Sequence, residues 1–428
     1  MPRKGKLFIG SVLFCALSLG FAGCGQQGDV EDRIMTLEAE EIGAAEQIDV
    51  PERSGYGQPQ PREGTDPDIA QTAGPDGVNG SDGANGPDGA ASDLTPDAKP
   101  AASEPVSAYT IVYAGDVCLH GGVENAYRTA GVDGIIGEQL LQELTGADYT
   151  VINHEFCFST GGVKQDKTYT FRADPANVSL LQEMGADLAS LANNHALDYG
   201  TEALSDTFVT LDNAGIAYMG AGETMERAAE MITVEVNGYT LGFMAASRVY
   251  PSAQWSVQNR QPGMLSAYDP DYLAKLVAEK APQCDYLMIY LHWGIEKAEH
   301  PESYERSLAQ KLIDSGADAV IGSHPHVLQG VEYYRDKPIF YSLGNFVFNA
   351  SISRTAFLRA TIDMESASAE GAQDLADYVT WQMIPCKASG YCTEEVTDPK
   401  AIQSFYEYIR SISYDVDLDP ETGRVSNR

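Results

Sequence analysis

Short continuous apolar runs recur along the second half of the chain, at residues 109–114, 149–152, 188–192, 286–291, 319–321 and 338–343. Their length suits buried strands. Between them apolar positions fall at helical spacing, in 177–184, 202–213, 272–280 and 304–315, the last closed by Gly316. Strands alternating with helices predict a layered α/β domain opening near residue 108. Beyond residue 360 the pattern weakens. Residues 378–385 read as a closing strand, and 401–412 as a helix with Ile402, Phe405, Tyr406 and Ile409 on one face.

The first 107 residues have a different character. Arg3, Lys4 and Lys6 precede an apolar stretch over 7–21, which ends in Phe21-Ala22-Gly23-Cys24. A basic start, a short apolar core and small residues at the cut are the marks of a secretory signal. A cysteine directly after Ala-Gly resembles a bacterial lipoprotein signal, with residues 1–23 removed and Cys24 carrying the lipid. The stretch falls short of the roughly 20 residues a spanning helix requires. Residues 24–107 are rich in Gly, Pro, Asp, Glu, Ser and Ala, including six Gly-x-x triplets from Gly74. That composition predicts a disordered acidic tether. Two prolines in six triplets are too few for a collagen helix. The expected location of the folded part, 108–428, is therefore outside the cytoplasm, held to the cell membrane by the lipid.

Charge excludes one partner class. The chain carries 28 basic and 62 acidic side chains, a net charge of −34. Four basic against 18 acidic residues lie between 29 and 105, and 21 against 44 lie beyond. No basic footprint for nucleic acid is present. A protein of this charge that handles anions needs metal ions or local cationic groups to offset its own field.

Each apolar run leads into a polar cluster: Asp116, Cys118 and His120; Asn153, His154 and Glu155; Asn193, Asn194, His195 and Asp198; His292 and Glu296; His324 and His326; Asn345. Six of the seven histidines fall in these clusters. In α/β sheets the loops at the carboxyl ends of the strands converge, and ligands bind there. Imidazole, carboxylate and amide oxygen together suit borderline divalent ions. Two carboxylates and several imidazoles exceed one tetrahedral site, which points to a two-metal centre of Mn, Zn or Fe.

The order of these clusters resembles the calcineurin-like metallophosphoesterases and, more closely, the CapA/PgsA family of poly-γ-glutamate capsule synthesis proteins. The motifs carrying the resemblance are Gly115-Asp116, Asn153-His154-Glu155, residues 192–200, 292–296, His324-Pro325-His326 and 342–346. The resemblance implies a four-layer αββα sandwich with metals at one edge. It implies that Asp116 binds the first metal, Glu155 bridges, and Asn194 and His292 bind the second. His324 and His326 would complete the two sets, and His195 would face substrate as the catalytic proton donor. His120, Asn153, Asp198, Glu296 and Asn345 would fix the ligands or meet substrate. Where the broader family has Asp-x-His, this chain has Asp116-Val117-Cys118. Three alternatives remain open there: thiolate ligation by Cys118, a reach from His120, or a weak first site.

Outside the cytoplasm cysteines can pair. Cys386 and Cys392, spanning a short loop with Gly390, are expected to form a disulfide. The resemblance makes the strands of Cys118 and Cys157 neighbours, and a second pair is expected there. Three functions compete at this point. The first is a membrane-anchored protein of poly-γ-glutamate synthesis, export or anchoring, meeting an anionic polymer and a membrane synthase complex. The second is an extracytoplasmic metal-dependent phosphoesterase. The third is a non-catalytic scaffold. If the protein is an enzyme, the expectation is a metal-dependent hydrolase of a phosphoester or a γ-glutamyl amide.

Overall fold

In the computed structural model, which describes residues 105–257 and 261–428, the apolar runs become parallel strands of two facing sheets. The expected leader, the lipid-bearing Cys24 and the tether as far as residue 104 lie outside the described residues. Strands β1 (Ala108–Val117), β2 (Tyr149–His154), β3 (Leu188–Ser190) and β4 (Ala217–Met219) lie side by side and parallel. The chain then builds a six-stranded sheet from β5 (Ile232–Val236), β6 (Tyr239–Ser247), β7 (Tyr286–His292), β8 (Ala319–Ser323), β9 (Val331–Tyr334) and β10 (Lys337–Phe340). Its order is β9-β10-β8-β7-β6-β5, with the four inner strands parallel.

The chain next returns to the first sheet. β11 (Asn345–Val347) runs parallel beside the end of β1, and β12 (Thr355–Asp363) lies antiparallel along its length. β13 (Val379–Ser389), β14 (Cys392–Glu395), β15 (Val416–Leu418) and β16 (Arg424–Asn427) complete ten strands. The sequence pattern missed β5, β6 and β12. A signal for the first pair was present: Asn237-Gly238 joins them with φ of 50° and 84°. Two successive left-handed residues make the tight turn that matches strand twist.

The two sheets share one apolar core. Tyr149 and Phe243 meet ring to ring at 5.2 Å, and Tyr290 Oη donates to the Ala114 carbonyl at 3.2 Å. On the outer face of the second sheet, helices Pro270–Lys280 and Ser303–Asp314 bury Leu273, Val277, Leu308 and Leu312 against Leu287, Ile289 and Val320. Helices Glu138–Gly146 and Gly200–Ala214 cover the other face of the first sheet, and Thr150 Oγ1 on β2 donates to the Leu144 carbonyl at 2.9 Å. The layering is helix, sheet, sheet, helix, as the resemblance implied. Among the described residues no helix is long and apolar enough to cross a membrane.

The expected disulfides do not form. Cys118, Cys157, Cys284, Cys386 and Cys392 are all free. In the β13–β14 hairpin Cys386 faces Glu395 while Cys392 faces Ser389. The two cysteines are thus three rungs apart, about 10 Å along the strands, beyond the roughly 7 Å that a disulfide can span. Cys157 Sγ instead points to the carbonyls of His195 and Ala196, 3.3 Å from each.

Close backbone approach fixes the end of β1. A Cβ on Gly115 would stand 2.0 Å from the Gly344 carbonyl oxygen, and the next residue, Asp116, donates its amide to that same carbonyl at 2.9 Å. Gly115→Ala is expected to lower unfolding free energy by about 2–3 kcal/mol, the cost of overpacking a dense junction. Denaturant titration of the two proteins checks this, and an unchanged midpoint contradicts it.

Candidate metal centre

Strand geometry selects which side chains enter the site. On β2 and just beyond it, Asn153 and Glu155 point to one face and His154 to the other, as the pleat requires. His154 therefore leaves the polar cluster and packs on Phe156 and Phe158, with ring centroids 3.9 and 5.0 Å away. Asp116 lies where β1 breaks register against β2 and takes Asn345 of β11 as its partner. A bulge of this kind re-aims a side chain. His292 ends β7, and the His324-Pro325-His326 loop follows β8. Both of these loop histidines hold positive φ, 102° and 57°. Such backbone is costly for a residue with a Cβ, and it persists where surrounding structure over-determines it.

Two donor groups result. Glu155, His292 and His324 bring ligand atoms within 4.8 Å of one another, and so do Asp116, Glu155 and His326. Glu155 belongs to both. All but His326 are buried. Asn194 Oδ1 lies 2.9 Å from His292 Nε2, which brings it to the first of these groups. Asn153 Nδ2 donates to Asp116 Oδ1 at 2.8 Å and is 3.3 Å from Glu155 Oε2, so one amide spaces the two acids. Asn345 Oδ1 is 2.7 Å from His326 Nδ1 and orients that ring.

The electrostatics are unbalanced. Asp116 Oδ2 is 3.2 Å from His326 Nδ1 but makes no aligned hydrogen bond, and Glu155 Oε1 and His324 Nδ1 also lack partners. Burial, then the neighbouring Asp116 charge, holds the Glu155 carboxyl well above the usual carboxylate range. Burial first, and then the neighbouring imidazoles, pushes His292 and His324 well below the ordinary imidazole value. The rings are thus neutral; His292 Nε2 meets Asn194 Oδ1 and its Nδ1 meets Ser323 Oγ at 3.1 Å, while His324 Nδ1 is unpartnered among the described residues, and the acids have no buried countercharge. A divalent cation in either group would meet both needs. The residues present fit such ions by chemistry and by their orphaned atoms.

His195 stands at the edge of both groups, its Nε2 3.9 Å from Glu155 Oε1. Asp198 holds the opposite nitrogen, Nδ1, at 2.6 Å. Asp198 in turn accepts from the Phe171 amide at 2.7 Å and from Lys167 Nζ at 2.8 Å. Burial outweighs Asp198 and sets the His195 pKa down to about 4. Lys167, which sequence reasoning passed over, also donates to the Asn194 carbonyl at 2.6 Å. Nothing in its polar loop distinguished it.

Other expected residues stand apart. His120 lies against the Phe171 ring at 5.1 Å and belongs to neither donor group. Cys118 is buried, and burial pushes its thiol up, which disfavours the thiolate that a ligand needs. Glu296 is exposed and belongs to neither donor group, and its charge adds to the upward shift of Glu155.

Fold and site together define a class: an αββα sandwich whose parallel strands end in adjoining carboxylate, amide and imidazole groups. Within it the chain belongs to the family of the bacterial capsule synthesis protein PGA_cap, whose profile matches residues 110–350. It is 31% identical over 265 residues to the Bacillus subtilis PGA biosynthesis protein CapA, covering 61% of this chain and 68% of the relative. With the Bacillus anthracis capsule biosynthesis protein CapA the identity is 31% over 254 residues, 58% of this chain and 61% of that one. A probable polyglutamine synthesis accessory protein of Mycobacterium tuberculosis is 33% identical over 223 residues, 49% of this chain and 58% of its own length. The chain thus spans less than two thirds of the last two. Among solved structures, Haemophilus influenzae NAD nucleotidase aligns over 72% of this chain and 57% of its own, with 12% identity and a TM-score of 0.40, a likeness too slight to argue from.

His154 gives a pH test. It is fully buried with neither ring nitrogen bonded, and burial sets its pKa down to about 3. The unfolded chain binds that proton near pH 6.5, so stability is lost as pH falls below that value, by about 1.4 kcal/mol per pH unit. His154→Leu is expected to lose roughly 2 kcal/mol less than the wild type between pH 7 and 5. Equal losses in paired urea titrations contradict this.

Proposed function

We propose that this chain serves poly-γ-glutamate synthesis, export or anchoring from the outer side of the cell membrane, through a centre that holds two divalent cations. The observation that carries the reading is the sharing of Glu155 between two donor groups in which Asp116 Oδ2 and Glu155 Oε1 are buried with no hydrogen-bond partner among the described residues. The names of the relatives supply the polymer, and the signal-like first 23 residues with Cys24 supply the anchor. A membrane synthase complex is the setting in which an anchored accessory protein of this kind would meet a growing polymer.

In this reading Asp116, Glu155 and His326 hold one cation, and Glu155, His292 and His324 the other, with Asn194 beside the second. Bound divalent cations supply Lewis-acid chemistry, withdrawing charge from a carboxylate, amide or phosphoryl oxygen. Asn153 spaces the two acids and Asn345 fixes the His326 ring. Asp198, steadied by Lys167 and the Phe171 amide, keeps His195 Nδ1 engaged and aims Nε2 at the cluster. Alone, that ring is neutral at physiological pH. An anionic substrate docked beside it raises its proton affinity, and it then serves as a proton donor to a leaving oxygen or nitrogen.

The His195–Asp198 pair favours a second reading, hydrolysis of a phosphoester, because a scaffold has no need of an aimed imidazole. Metal analysis and activity separate these accounts. Dialysed wild-type protein is expected to bind two Mn or Zn ions per chain by calorimetry, Asp116→Asn to lose one, and Glu155→Gln to lose tight binding at both. A wild type that takes up no metal contradicts the proposal. Turnover of an aryl phosphodiester with Mn or Zn, reduced about 10²–10⁴-fold in His195→Ala, would establish the second reading. Absence of turnover in the metal-loaded wild type would discard it.

A further inference from the structure

Arg248 is the first residue beyond β6, one strand away from a ligand candidate. Ser247 pairs with His292, and the Arg248 amide donates to the His292 carbonyl at 2.8 Å. Its guanidinium carbon lies 4.3 Å from the ring centroid of Tyr304 and 5.2 Å from that of Tyr268. Tyr304 is fixed in turn, since its hydroxyl accepts from the Gly294 amide at 2.8 Å, two residues past His292. Tyr268 is 50% exposed and Tyr304 is half-buried, so Arg248 is flanked by one ring at the surface and one beneath it.

This arginine has no acid of its own. Arg227, Arg306, Arg335, Arg359 and Arg428 each pair with a carboxylate. Among the described residues none pairs with Arg248, in a domain where acids outnumber bases two to one. Its charge is felt by buried Glu305, but that carboxylate spends Oε2 on the Glu302 amide and forms no ion pair with Arg248. Among the described residues the one hydrogen bond from the guanidinium is a long one, 3.4 Å to the Ala267 carbonyl. Aromatic rings steady a guanidinium through its flat face and leave the N–H edge open. An open N–H fork is the geometry that takes a carboxylate or phosphate through two hydrogen bonds.

Among the described residues Lys297 also pairs with no carboxylate. The Lys297 amide donates to the Pro325 carbonyl, inside the His-Pro-His loop, at 2.8 Å, and its exposed side chain acts electrostatically on His324. The strongly negative surface would otherwise repel an anionic substrate, and these two cations sit where the parallel strands of the second sheet end.

We propose that Arg248, steadied by Tyr268 and Tyr304, is an anion-receiving subsite beside the Glu155–His292–His324 group. It takes a carboxylate or phosphate of the substrate adjacent to the group that the cations engage. The proposal rests on the reading that the centre engages an anionic substrate, and it adds which residue selects that substrate.

The test uses the full chain loaded with Mn and two probes, a fluorescent γ-linked decaglutamate followed by anisotropy and inorganic phosphate as competitor. Arg248→Gln is expected to weaken decaglutamate binding about tenfold or more, the worth of a charge-assisted hydrogen bond, with Mn stoichiometry unchanged. Arg248→Lys should recover only part of it, and Tyr268→Ala, at a half-exposed position, should lose a few-fold. If phosphate displaces the decaglutamate from wild type but not from Arg248→Gln, the subsite accepts phosphate as well as carboxylate. Mn-loaded wild type that ignores both probes, or Arg248→Gln that binds them as wild type does, overturns the subsite alone. Wild type that takes no Mn overturns the reading of the centre and the subsite with it.

Discussion

Two carboxyl groups, Asp116 and Glu155, are buried together at the meeting edges of two sheets, with no buried cation between them. Desolvating one ionised group costs several kcal/mol and a second beside it more, and burial beside Asp116 accordingly holds the Glu155 carboxyl well above the usual carboxylate range. The fold accepts this because the backbone leaves no choice. Gly115 admits the Gly344 carbonyl against β1, the register break at Asp116 turns its side chain inward, and the pleat of β2 does the same for Glu155. Facing them are His292 and His324, whose burial keeps them neutral and therefore unable to balance the charge. The arrangement offers two groups of possible ligand atoms and leaves their acids without ion pairs to balance them.

Other features follow from that imbalance. The His324-Pro325-His326 loop holds two histidines in the left-handed half of backbone space, and a nitrogen of each ring lies near Glu155. Lys167 is the basic side chain hydrogen-bonded beside this cluster, and it is committed to Asp198 and the Asn194 carbonyl rather than to Glu155. It steadies the His195–Asp198 pair and leaves the acids to a cation from outside. In the proposed subsite Arg248 and Lys297 serve the opposite purpose, since among the described residues neither pairs with a carboxylate.

Much of this was legible in the sequence because the chemistry sits where apolar runs stop. A run such as 286–291 ending in His292 announces both a strand and the loop that presents the ligand, so the donor residues could be listed without knowing the fold. What the sequence could not supply was direction. His154 stands between two site residues and points away from them, which only the pleat decides. Cys386 and Cys392 looked like a loop-closing pair, but hairpin register sets them three rungs apart. Strand β12 escaped notice because its alternation, with Arg359, Thr361 and Asp363 against Ala360 and Ile362, begins only halfway along it. Lys167 and Arg248 carry no local signature at all, for their roles come from residues distant in the chain.

The central claim is that Glu155 joins two cation positions. A crystal of the protein grown with Mn, measured at the Mn absorption edge, tests it most directly. The account predicts two anomalous peaks flanking the Glu155 carboxylate, roughly 3.5–4 Å apart as in two-metal centres generally, one toward His326 and one toward His292 and His324. A map with no peak at Glu155, or with Mn bound only elsewhere, would contradict it.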